Sequence, residues 1–236
     1  MNHHQNNSDK EFQAVRKNKI SVLFENDHVV IFDKPSGMIV IPSPKNEAIT
    51  MVGEVNKLFQ KSSEQYKLHP CHRLDRETSG IIMFAKGKKN QQMMMDVFKE
   101  QKIEKKYIAF VQGKLNQRSG EIRGYIADKD HLKYNKDKSP KFAESRFRVL
   151  EQKKSFAIVE VQPLTGRTNQ IRIQFSEMGH PIVGDRKYSV VRRFDLKFNR
   201  TALHAASLEW TDPPTNKKIK VSSTLPTDME VFRARN

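Results

Sequence analysis

Cysteine occurs once in this chain, as Cys71. An internal disulfide is therefore excluded, and such usage fits a reducing compartment. No apolar run approaches the roughly 18 residues of a membrane helix, and the N-terminus lacks the apolar core of a secretory signal. Cys and His never fall at zinc-site spacing, and no glycine-rich phosphate loop is present. His69, Cys71 and His72 are crowded but too few for a metal site. There is no internal repeat. A cytoplasmic location is the expectation. Acidic residues are short as well: 27 Asp and Glu stand against 43 Lys and Arg, a net charge of +16 with a pI near 9.9. That excess is the electrostatic footprint of a phosphate-backbone binder. Solubility or an anionic membrane surface would use the same charge.

The 236 residues suffice for a sizeable core, and 14 Phe supply bulk to a chain that is only 36% hydrophobic. Met1 to Asp9 is polar and rich in Asn and His, so residues 1–18 are expected to form a disordered tail and 19–236 one domain. Short strands are expected at Ile20–Phe24 and His28–Asp33, with Lys34-Pro35-Ser36-Gly37 as a turn and Met38–Ile41 as a further strand. A helix capped by Thr50 follows, running to about Gln60. Ile81–Ala85 reads as a buried strand. Lys88–Gln101 reads as a helix with Met93, Met94, Val97 and Phe98 inward as core filler. Further strands are expected at Lys106–Gln112, Glu121–Ile126, Ala143–Leu150, Ser155–Val161, Ala205–Trp210 and Ile219–Val221. A helix is expected over Gly166–Met178 and a short one after Pro226. Helices interrupt the strands without a βαβ rhythm. The fold class is therefore α+β, a mainly antiparallel mixed sheet with flanking helices.

The most informative stretch runs from Cys71 through His72-Arg73-Leu74-Asp75-Arg76-Glu77-Thr78-Ser79-Gly80 to Ile82. It sets one carboxylate, Asp75, among His72, Arg73 and Arg76, neighbours that would keep it ionised. A buried carboxylate also needs a second cation from elsewhere in the fold. An oriented, ionised carboxylate can act as a nucleophile or as a base at a sugar carbon. The same letters in isolation would suit a turn with a structural ion pair.

This segment resembles the signature of the RluA-type pseudouridine synthases, whose catalytic aspartate lies in a His-Arg-Leu-Asp…Thr-Ser-Gly run. Three more segments are similar to that family. They are Val30 to Met38 with its Lys-Pro-Ser-Gly turn, Lys105-Lys106-Tyr107-Ile108-Ala109-Phe110-Val111, and Leu164-Thr165-Gly166-Arg167-Thr168-Asn169-Gln170-Ile171-Arg172 with Gly179 to Asp185 and Tyr188 behind it. Arg200 to Ala205 resembles a further family element, read as core packing beside the sheet. One letter departs. Asn169 stands where the family usually has histidine, keeping a hydrogen-bonding amide but no proton that titrates near neutrality.

The resemblance implies a pseudouridine synthase-like catalytic domain that isomerises uridine in structured RNA and needs no cofactor or metal. Asp75 would start the chemistry, attacking C1′ or removing a sugar proton. Arg172 would pair with it, and Tyr107 would hold the base and assist proton removal from C5. Ile171 would pack on the uracil, Arg167 would bind a phosphate, and Lys34 would lie near the phosphates. The target must be flipped out of its stack, and Arg73 would fill the gap. Glu77 is read as a solvated or ion-paired surface residue. Basic runs at Lys86–Lys89, Lys102–Lys106, Lys133–Lys141 and Arg186-Lys187 would grip the backbone. With the first strand near Ile20, no small N-terminal RNA-binding domain is expected. The implied partner is a tRNA or rRNA stem-loop, with no membrane and no obligate protein partner, and a monomer is the expected state. Two other classes compete: a catalytically silent RNA binder on the same scaffold, and a nucleoside or glycoside hydrolase using Asp75.

Overall fold

The structure, a computed structural model, describes residues 20–42, 49–59, 66–127, 139–189 and 196–236. The expected tail over 1–18, the helix end at Gln60 and most of the basic run Lys133–Lys141 lie outside them. In chain order the elements are β1 (Ser21–Glu25), β2 (Val29–Lys34), α1 (Met51–Phe59), β3 (Leu68–Pro70), β4 (Ser79–Lys86), α2 (Gly87–Lys99), β5 (Ile103–Gln112), β6 (Ser119–Ile126), β7 (Lys141–Gln152), β8 (Phe156–Pro163), α3 (Gln170–Glu177), β9 (Leu203–Asp212), β10 (Lys217–Ser222) and α4 (Thr227–Arg235). The class is α+β, as expected. Among the described residues no helix is long and apolar enough to cross a membrane.

The chain divides into two compact units, and the division falls inside β5 and β9: Met1–Ile103 with Ala205–Thr224, and Glu104–His204 with Leu225–Asn236. In the first unit the strand order is β1-β2-β4-β9, with β10 added to β9 and β3 to β4. The pairs β1–β2, β2–β4, β3–β4 and β9–β10 are antiparallel. The turn between β1 and β2 follows from Asn26, whose Oδ1 accepts the N–H groups of His28 and Val29 at 2.9 and 2.8 Å. Because β4 is buried on both faces, it reads as the continuous run Ile81-Ile82-Met83-Phe84-Ala85. The helix α2 buries Met94 and Val97, with Met93 and Phe98 packed at the margin of the same cluster.

The second unit is an antiparallel sheet ordered β5-β8-β7-β6. Strand β7 alternates strictly, burying Ala143, Ser145, Phe147 and Val149 while exposing Phe142, Arg146, Arg148 and Leu150. Phe110, Phe156 and Phe232 meet at centroid distances of 5.2–6.0 Å, and Phe147 meets Phe175 of α3 at 5.9 Å. Each such fully buried ring contributes about 1.5–3 kcal/mol.

Two expectations need correction, and one element was not foreseen. Met38–Ile41 is not a strand: a lone parallel bridge joins Ile39 to Thr50. Instead the carbonyls of Ile39 and Val40 accept the N–H groups of Met51 and Val52, the orphan donors that open α1. The late helix starts at Gln170 rather than Gly166, because Asn169 takes a left-handed φ of 55°. The short β3 was not expected.

Candidate active site

In the first unit, residues 71–78 link β3 to β4 and carry Arg73 and Asp75. Leu74 points inward at 6% exposure, Arg73 is exposed and Asp75 is half-buried. Main-chain anchors hold this loop. The Cys71 N–H donates to the Met83 carbonyl at 2.9 Å, and the Thr78 N–H to the Asp75 carbonyl at 3.2 Å. His72 accepts the Met83 N–H through Nε2 at 3.0 Å, so that nitrogen carries no proton here. Its expected part as a cation beside Asp75 is therefore replaced by one as a structural acceptor. The Cys71 thiol is pushed up to about 12 by burial, with a backbone hydrogen bond only partly opposing, and is no nucleophile near neutrality.

The Lys-Pro-Ser-Gly turn clamps the same loop. Lys34 is 1% exposed, and its amine donates to the carbonyls of Pro35, Met38 and Arg76 at 3.0, 2.8 and 3.2 Å. An ammonium has three N–H groups, and all three are engaged by carbonyls. These bonds make Lys34 an anchor of the loop. Beside it, the Ser36 hydroxyl donates to the Glu77 carbonyl at 2.7 Å, and the Gly37 N–H to the Arg76 carbonyl at 2.8 Å. Arg76 returns Nε to the Gly37 carbonyl at 3.1 Å. Gly80 closes the loop with φ +106°, and a Cβ there would lie 2.2 Å from the Ala205 carbonyl oxygen, which only glycine avoids.

The second unit carries the other expected residues. Tyr107 lies in β5 opposite Val161 and packs against the unit's apolar core. Ile171 is a member of that core at 6% exposure. The loop after β8 is laced by side chains. Gln170, 4% exposed, donates to the Glu144 carbonyl and the Ser145 hydroxyl, both at 2.9 Å. Its Oε1 accepts the Thr165 hydroxyl at 2.7 Å and the Arg167 N–H at 3.0 Å. Arg167 is exposed, with Nε on the Phe142 carbonyl at 2.9 Å.

Arg172 is gripped as a fork. Its Nε and Nη2 donate to the two oxygens of Asp185 at 2.6 and 3.0 Å, and Nη1 donates to Asn169 Oδ1 at 2.8 Å. The guanidinium also lies 4.9 Å from the Tyr188 ring centre. Burial alone would raise the Asp185 carboxyl. The hydrogen bonds and charge of Arg172, with the N–H groups of Tyr188 and Lys187, outweigh it and hold the group below its ordinary value. Asn169 thus has two jobs that an amide does well: it tolerates the left-handed backbone and supplies an acceptor to Arg172. Asp185 and Asn169 between them engage Nε, Nη1 and Nη2 of the guanidinium.

Sequence reasoning assigned no role to Asp185, Gln170 or Ser145. A carboxylate 13 residues beyond Arg172 carries no spacing signal, and buried amides are visible only once their partners are placed.

A family model described as RNA pseudouridylate synthase matches residues 28–177. "Uncharacterized RNA pseudouridine synthase YlyB" of Bacillus subtilis is 33% identical over 215 residues, covering 89% of this chain and 70% of that protein. "tRNA pseudouridine synthase C" of Haemophilus ducreyi is 32% identical over 228 residues, covering 88% and 91%. "Ribosomal large subunit pseudouridine synthase C" of Vibrio cholerae is 31% identical over 217 residues, covering 89% and 67%. The solved structure "Human RNA Pseudouridylate Synthase Domain Containing 4" shares the fold at a TM-score of 0.77 and 22% identity, with 97% of each chain covered. The chain belongs to the RNA pseudouridylate synthase family, of the RluA type, and is an RNA pseudouridine synthase, an isomerase.

Proposed function

We propose that the chain converts a uridine in a tRNA or rRNA stem-loop to pseudouridine with Asp75 as the group that starts the reaction. The observation that carries this reading is the clamped loop: Lys34, Ser36 and Gly37 fix the main chain at Arg76 and Glu77, one residue from a half-buried carboxylate. In the reaction the N1–C1′ bond breaks, the base turns, C5 joins C1′, the C5 proton leaves to solvent and N1 gains one. Nothing is oxidised or reduced, and the base is kept.

Asp75 acts at the sugar. Arg172, held by Asp185 and Asn169, is the cation assigned to the chemistry. Tyr107 holds the base and assists loss of the C5 proton, with Ile171 packing behind it. Arg73, exposed two residues before Asp75, enters the gap left by the flipped nucleotide. Arg167 binds a phosphate. The +16 charge supplies the salt-dependent grip on the backbone. RNA is the partner, the working state is a monomer and the compartment is the cytoplasm. The two RNA classes are those for which relatives are named.

The test is nucleoside analysis of a tRNA pool and of a large-subunit rRNA transcript after incubation with the protein. Pseudouridine should appear in one of them with wild type and be absent with Asp75→Ala. Free uracil, or no product in either RNA, would overturn the reading.

A further inference from the structure

Strands β6 and β7 form a hairpin whose outward face is mostly charge-paired. Arg123 Nε meets Glu144 Oε1 at 2.8 Å and Arg146 Nε meets Glu121 Oε1 at 3.0 Å. The same face ends in something different. Tyr125 and Phe142 are direct cross-strand partners, with ring centres 5.8 Å apart and planes at 69°. Tyr125 is 71% exposed and Phe142 is 41% exposed. Scattered apolar residues at a surface need no explanation. A cross-strand aromatic pair does steady a hairpin. That account leaves one thing over: Arg167, an exposed side chain tied by Nε to the carbonyl of Phe142 itself. Arg167 belongs to the loop that leads into α3, and α3 carries Arg172. Among the described residues the terminal nitrogens of Arg167 have no partner.

From this juxtaposition we infer that Tyr125, Phe142 and Arg167 form a stacking platform for an unpaired nucleotide that flanks the target uridine. This rests on the reading above that RNA is the substrate. An aromatic face accepts any base, and a guanidinium accepts the adjoining phosphate. A base inside a duplex shows neither face, so the occupant is a loop or single-stranded nucleotide. The excess of basic residues in the chain favours that polyanion over an apolar protein partner.

The test uses the full chain and two fluorescent probes, an oligouridylate and a blunt RNA duplex of equal length, read by anisotropy across a salt series. Tyr125→Thr keeps a strand-forming residue at an exposed site, so the fold should survive. The expected result is about tenfold weaker binding of the oligouridylate, less than about twofold change on the duplex, and an unchanged salt slope. Arg167→Gln should instead lower the salt slope by about one. Phe142→Thr should repeat the Tyr125 result. Oligouridylate binding by Tyr125→Thr within about twofold of wild type, or equal losses on both probes, overturns the platform. Pseudouridine formation is scored separately in wild type. A Tyr125-dependent binder that makes no pseudouridine sinks the proposed function and keeps the platform, and an active enzyme indifferent to Tyr125 does the reverse.

Discussion

Asp75 and Arg172 lie on two segments that are held by different means. Residues 71–78 are held largely through main-chain groups: a buried lysine, a serine hydroxyl and a glycine N–H all reach carbonyls of Arg76 and Glu77, with the side chains of His72 and Arg76 adding one bond each. Residues 164–169 and the start of α3 are held through side chains, by the amide of Gln170 and the fork between Arg172 and Asp185. The contrast matters for how each fails. Anchoring in the first loop depends on Lys34, a residue outside the loop itself. Side-chain anchoring in the second makes a proposed catalytic cation also a structural one. Loss of Arg172 would therefore blur mechanism with stability.

The largest effect separating the two is expected at the fork. Arg172→Met leaves the fully buried Asp185 carboxylate without its guanidinium and should cost about 3–5 kcal/mol in chemical denaturation. A loss under about 1 kcal/mol would mean the pair is replaceable and the comparison is wrong. Next comes Lys34→Met, which strands three carbonyls and should cost about 1–3 kcal/mol. Turnover should fall by about tenfold or more while RNA affinity holds, because the loop that aims Asp75 loosens. A fall in affinity with turnover intact would instead support a place for Lys34 near the phosphates.

Acid distinguishes the units more gently. Asp185 has a folded-state value below its unfolded one, so its contribution is present above the ordinary carboxylate range near about 4 and is lost as pH falls through the folded value. Asp33, in the first unit, is shifted the other way. Burial raises it and a hydrogen bond with Ser223 only partly offsets that, so its charge costs stability as pH rises through the folded value. Asp185→Asn should destabilise at pH 7 and lose that deficit in acid. Asp33→Asn should stabilise slightly at pH 7 and become neutral below about pH 4. Urea midpoints across pH check both, and parallel behaviour of the two variants would contradict the opposed shifts.

Most strands were legible because their alternation and turns are local: Asn26 between β1 and β2, and the strict in–out pattern of β7, need no partner to be read. The family letters were legible too, although many of them turn out to be anchors. Lys34, Thr165 and Gln170 hold loops, while the residues proposed for chemistry are fewer. Illegible features were those set by distant partners. Met38–Ile41 looks like a strand but spends its carbonyls on the opening of α1. Gly166–Met178 looks like one helix, yet the side chains of Thr165 and Gln170 bond across to β7 and Asn169 turns left-handed to allow it. The bond between Asn169 and Arg172 explains why an amide works at that position, which composition alone did not reveal.

The most direct test of the central claim is tritium release from RNA labelled at C5 of uridine, comparing wild type with Asp75→Ala at matched RNA affinity. Release by wild type with the base still attached, abolished in Asp75→Ala with binding intact, is the predicted result. Equal release by the two proteins would contradict the assignment of Asp75.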